Sequence, residues 1–263
     1  MDPAMNDATG RVAELTAALA GLRARLARAA EAAGRPVEDI ELLPVTKFFP
    51  ASDVAILWRL GCRAFGESRA QEAAAKIAEF GGLVEADAGT GTADGPAARS
   101  QWHMVGHVQR NKARAVAAWA DTVHSVDSAA VAAALDSAAA QAMDEGGRTA
   151  ALEVFVQVSL DGDPARGGVD IADPAAVDRL CAQVTGAGAL RLVGLMAIAP
   201  LSADPDTAFA ALAAEHRRVL RDHPGARGLS AGMSGDLEAA VRHGSTCVRV
   251  GTALLGQRPL TSP

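Results

Sequence analysis

The sequence contains no tyrosine. Chemistry that needs a phenol is therefore closed to this chain. Lysine is almost absent too: Lys47, Lys76 and Lys112 are the only three, and the other 22 basic residues are arginine. Where positive charge is wanted the chain uses Arg, so a retained Lys is a candidate for work that a guanidinium cannot do. Only three cysteines occur, Cys62, Cys181 and Cys247, with no C-x-x-C and no metal-like spacing. That excludes a disulfide scaffold and fits a reduced, cytoplasmic protein. No apolar run approaches the ~20 residues needed to span a bilayer. Arg and Glu run through the N-terminal helix-like stretch, which lacks the apolar core of an export signal. A net charge of −6 gives no electrostatic reason to expect nucleic acid or an anionic membrane as partner.

What is present is a chain of 263 residues, 49% hydrophobic, long enough to bury a full core. Val12, Leu15, Leu19, Leu22 and Leu26 recur at helical steps, predicting a helix from about Arg11 to Ala33 after a flexible terminus (1–10). The short apolar run 41–46 ends at Lys47, and Pro50 with Ser52-Asp53 opens a helix. The same unit then recurs. Strand-like runs at 62–65, 102–105, 123–126, 152–158, 192–198, 227–230 and 246–250 are nearly all followed by helical segments. Eight strands alternating with helices predict parallel strands joined by crossovers, and a single-domain (β/α)8 TIM barrel over 11–257. Residues 84–100, rich in Gly, Ala and Asp, read as a surface insertion, with a mobile lid as the functional alternative. Residues 258–263 are expected as a C-terminal tail.

Barrel chemistry sits at the carboxyl ends of the strands. Lys47 ends the first strand, where a closed interior would desolvate its amine and make it nucleophilic toward an aldehyde. After the seventh strand the chain reads Ser230-Ala-Gly-Met-Ser-Gly-Asp236, and after the eighth Arg249-Val-Gly-Thr-Ala253. Small residues before a helix start expose backbone N–H groups to an anion. Gly232 and Gly251 allow close approach, Ser234 and Thr252 add hydroxyls, and Met233 lies between them. Loops after strands seven and eight commonly hold phosphate. An aldehyde-capturing amine opposite a phosphate cradle describes a site for pyridoxal phosphate (PLP). His103 and His107 straddle a strand end, so they do not make a zinc pair. His103 and Cys62 read as buried structural residues, with acid or base as the alternative, and His103 and Ser230 are counted with the cofactor-binding set.

These residues carry a resemblance. The segments Val45-Thr-Lys-Phe-Phe-Pro50, Phe65-Gly-Glu-Ser68 with Gln71-Glu72, and Trp102-His-Met-Val-Gly-His-Val-Gln109 with Asn111-Lys112 are similar to the pyridoxal-phosphate homeostasis proteins. So are Val123-His-Ser-Val-Asp127, Gly194-Leu-Met196, Gly232-Met-Ser-Gly-Asp236 and Val248-Arg-Val-Gly-Thr252. The resemblance covers nearly the whole chain. It implies a barrel of the alanine-racemase N-terminal type, PLP joined to Lys47 as a Schiff base, phosphate contacts at Ser234, Gly251 and Thr252, and Arg249 at the ring nitrogen. Ser68 and Ser159 depart from it, since both stand where the family usually has Asn.

Arg249 would donate to the pyridine nitrogen without protonating it, which makes the ring a weaker electron sink. Related barrel racemases use a tyrosine as second base and a β-rich C-terminal domain, and this sequence shows neither. The expectation is a monomeric, cytoplasmic PLP carrier in vitamin B6 and amino-acid homeostasis, delivering to apo PLP-dependent enzymes. A racemase- or decarboxylase-like enzyme is the alternative.

Overall fold

The computed structural model describes residues 3–88, 100–163 and 166–257. Most of the predicted insertion and the predicted tail lie outside the described residues. After α1 (Pro3–Ala32) come β1 (Glu41–Pro44), α2 (Ala51–Arg59), β2 (Ala64–Glu67), α3 (Ala70–Ala88), β3 (Gln101–Met104), α4 (Ala113–Ala117), β4 (Thr122–Val126) and α5 (Ala129–Asp144). The second half continues with β5 (Leu152–Ser159), β6 (Val169–Asp170), α6 (Pro174–Gly186), β7 (Leu190–Met196) and α7 (Pro205–Asp222). It ends with β8 (Gly228–Ser230), α8 (Leu237–Arg242), β9 (Cys247–Val250) and α9 (Thr252–Leu255).

Every strand pairing is parallel, in the order β1-β9-β8-β7-β5-β4-β3-β2, and the two-residue β6 hangs on the end of β5. A bridge between Val45 and Gly66 brings β1 back to β2. The result is a nearly closed barrel of eight parallel strands wrapped in helices, as the alternating pattern predicts. Helix starts follow their caps. Ser128, Asp173 and Asp204 accept from backbone N–H groups three residues on, and Pro174 and Pro205 occupy first helical turns. The helix expected from Arg11 begins at Pro3, because Pro is tolerated in a first turn and nothing before Arg11 forbids a helix.

Two large apolar clusters fill the space between barrel and helices. A third, Leu43, Ala64 and Cys247 with half-buried Val105, draws on strands and their ends alone and marks the inner wall. Toward the strands' carboxyl ends the inner wall turns polar. His103, His124, Gln157, Ser230 and Arg249 are all buried there. Buried polar groups at that end need partners, and their pairing builds the site.

Candidate functional site

The turn after β1 holds Lys47. Val45 donates to the Val250 carbonyl at 2.8 Å and Thr46 to the Gly66 carbonyl at 2.9 Å, so the chain is pinned to both neighbouring strands one residue before the lysine. The Val45 carbonyl lies 3.6 Å from where a Cβ on Gly251 would sit, which sets the lysine turn beside the second small-residue loop. Phe48 then adopts a left-handed backbone, φ 69°, unusual for a bulky residue. The expectation that Lys47 is desolvated inside the barrel is not met: its side chain is exposed, with Nζ 5.8 Å from the Phe48 ring centroid. The reason is length. β1 ends at Pro44, so by Lys47 the backbone has already turned out over the rim.

Below the rim runs a column of polar side chains. Arg249, buried, donates to Ser230 Oγ at 2.5 Å and to the Ala197 carbonyl at 2.9 Å. Ser230 Oγ meets His124 Nδ1 at 2.8 Å, and His124 Nε2 meets His103 Nδ1 at 2.9 Å. Phe155 lies against the His124 ring, with centroids 4.6 Å apart. Burial pushes His103 down to about 4. Burial also holds His124 well below the usual histidine range, helped by His103 and Arg249. Both rings are therefore neutral near pH 7, and each carries a single proton. Ser230 Oγ accepts from Arg249, and the two His124 contacts run in one direction or the other along the column according to its tautomer. His103 Nε2, at the end of the column, is buried with no hydrogen-bond partner among the described residues.

Burial lowers the affinity of the Arg249 guanidinium for its proton, while Asp236 acts in the opposite sense. The three thiols are buried and their pKa values raised, Cys181 to about 12, so none offers a thiolate.

The two late loops meet at the rim. Arg249 N–H donates to the Gly232 carbonyl at 3.0 Å, and Ala253 N–H donates to Ser234 Oγ at 3.4 Å. Gly232, at φ +90°, places a would-be Cβ 2.5 Å from the Ala240 Cβ, so only glycine fits this close approach. From behind, Arg25 of α1 donates to the Ser234 carbonyl at 2.7 Å and pairs with Glu238. Met233, Gly235, Thr252 and Ala253 are exposed and Ser234 and Gly251 half-buried, so the loops open to solvent.

The structure thus brings Ser230, Gly232, Met233, Ser234, Arg249, Gly251 and Thr252 together, sets Lys47 on the adjacent rim, and links His103 to them through His124. His124 was missed in the sequence, as were Glu67 and Lys76, which grip Thr46. Lysine scarcity was the signal that could have found Lys76. His107 lies at the surface, 3.4 Å from Asp127. Ser159 Oγ donates to Asp161, and Ser68 gives its backbone to close contact with Gly106. No group of His, Cys, Asp and Glu suited to a metal occurs among the described residues. No helix among them is long and apolar enough to cross a membrane.

The model of the alanine racemase N-terminal domain matches residues 18–259. The pyridoxal phosphate homeostasis protein of Mycobacterium tuberculosis (strain H37Rv) is 62% identical over 253 residues, 96% of each chain. This chain belongs to that family. The Mycobacterium leprae member is 60% identical, again over 96% of each chain. PipY of Synechococcus elongatus PCC7942, solved with PLP bound, is 32% identical, with a TM-score of 0.74 over 92% of this chain and all of PipY. Membership accounts for the barrel and for the order of motifs along it.

Proposed function

We propose that this chain binds PLP at the barrel rim and serves vitamin B6 and amino-acid homeostasis in the cytoplasm. The observation that carries the reading is the buried Arg249, fixed by Ser230 and the Ala197 carbonyl directly beneath two joined small-residue loops. A phosphate-tailed pyridine suits that donor set. The PLP-bound PipY structure, from the same family, supports the choice of ligand.

When bound, PLP supplies an electrophilic aldehyde and an electron-withdrawing ring. Lys47 provides the primary amine that holds the aldehyde as a Schiff base, and its exposure keeps that attachment open to exchange. Ser234, Gly251 and Thr252 receive the phosphate, with Gly232 and Met233 shaping the loop. Arg249 donates to the ring nitrogen and, remaining a cation, disfavours its protonation. Ser230, His124 and His103 hold the guanidinium in place.

That arrangement favours carriage over turnover. A racemase needs an opposing base, the chain has no tyrosine, and the nearest imidazoles are neutral and buried under Arg249. We propose a monomeric carrier that passes the cofactor to apo PLP-dependent enzymes. The test is transfer. The loaded protein, mixed with an apo-aminotransferase, should reconstitute it faster than cofactor escapes into a scavenger of free aldehyde. Transfer no faster than escape would contradict delivery.

A further inference from the structure

Two of the three lysines in this chain converge on one turn. Lys76, on α3, donates from Nζ to the Thr46 carbonyl at 2.8 Å and to Glu67 Oε1 at 2.7 Å. Thr46 Oγ1 donates to the same Glu67 oxygen at 2.6 Å. The pair is shielded, with Glu67 2% and Lys76 11% exposed. Each polar atom of Thr46 is thereby held: its N–H by Gly66, its carbonyl by Lys76, its hydroxyl by Glu67. The next residue is Lys47.

The demand for a clamp is visible one residue further on. Phe48 sits at φ 69°, and a bulky side chain keeps such a backbone only where its surroundings impose it. Its ring has the Arg69 guanidinium 5.4 Å from the centroid, next to the first turn of α3. The α3 region therefore grips the turn on both sides of Lys47. A compact ammonium can reach a carbonyl and a carboxylate oxygen at once in this closed space, whereas a planar guanidinium imposes its own fork. That gives a reason for Lys at position 76 in a chain that otherwise prefers Arg.

We infer that Glu67 and Lys76 are positioning residues that set the Lys47 amine for covalent capture of an aldehyde. The inference rests on the proposal that Lys47 carries the PLP aldehyde. In that capture the neutral amine adds to the aldehyde carbon, a carbon–nitrogen double bond forms, and the aldehyde oxygen leaves as water with both amine hydrogens. Misplacing the nitrogen by an ångström weakens capture without touching the groups that grip the phosphate.

The experiment separates those two grips. Removing one partner of a buried ion pair is strongly destabilising, whereas replacing both by neutral residues of similar shape is tolerated. The variant is therefore Glu67→Gln/Lys76→Met, with Thr46→Val as a second that leaves the ion pair intact. Two equilibria are measured on each. One is covalent capture of PLP, read by borohydride reduction and mass mapping of the labelled lysine. The other is binding of pyridoxine 5′-phosphate, which has an alcohol in place of the aldehyde. Expected is a roughly tenfold loss of capture at Lys47 with unchanged pyridoxine 5′-phosphate affinity. Unchanged capture overturns the positioning role, and so does an equal fall in both equilibria, which marks general structural damage. If the double variant does not fold, the same readings on Thr46→Val decide. Wild-type protein labelled anywhere but Lys47 overturns the PLP reading itself and the inference with it.

Discussion

Arg249 donates to the Ser230 hydroxyl across 2.5 Å inside the barrel, and that hydroxyl in turn faces His124. A guanidinium held in this way cannot swing toward solvent without leaving buried acceptors unpaired. Its direction at the rim is therefore set before any ligand arrives, which is the condition for electrostatic control of a bound ring.

Reversing that charge gives the first prediction. In Arg249→Glu the ring nitrogen of bound PLP should become protonated, because a carboxylate stabilises the pyridinium that a guanidinium opposes. The 15N shift of ring-labelled cofactor reads the difference. The same protonation state in both proteins would contradict the assigned role of Arg249.

A second prediction concerns acid. His103 has a folded pKa of about 4 against the ~6.5 of an unfolded histidine. Between those values the unfolded chain binds more protons, so stability rises with pH across the window. The contribution is fully present above pH ~6.5 and is lost as pH falls toward 4, by a few kcal/mol at most. Urea unfolding of wild type and His103→Gln should show a shallower loss in the variant. Parallel slopes would mean that His103 is not held neutral by burial.

Third, Gly232→Ala should destabilise the protein by about 1–3 kcal/mol. A Cβ there meets the Ala240 methyl at 2.5 Å on a backbone at φ +90°. Urea unfolding measures it. A stability equal to wild type would show that the loop has room to relax.

The barrel itself was legible in the sequence because each strand–helix unit carries its own local signals. Ser128 and Pro174 announce helix starts, and β5 reads as a strand through Leu152, Val154, Phe155, Val156 and Val158. The anion loops were legible because they are contiguous: Gly232, Met233 and Ser234 lie side by side in the chain. What escaped depends on distance along it. His124 meets Ser230 across 106 positions, and it sits in a strand buried on both faces, where inward and outward residues look alike. Glu67 and Lys76 belong to a strand end and a helix face, with nothing local to show that both reach Thr46. The exposure of Lys47 turned on β1 stopping at Pro44, a boundary that periodicity does not resolve. Two-residue β6 was lost in a Gly/Asp loop for the same reason.

Capture of PLP turns on the amine of Lys47, and removing that amine tests it directly. Purified wild-type protein given PLP should develop the near-visible absorbance of a conjugated imine, and borohydride should fix the cofactor to Lys47, whereas Lys47→Ala should stay colourless and unlabelled. Equal absorbance and labelling in the two proteins would contradict it.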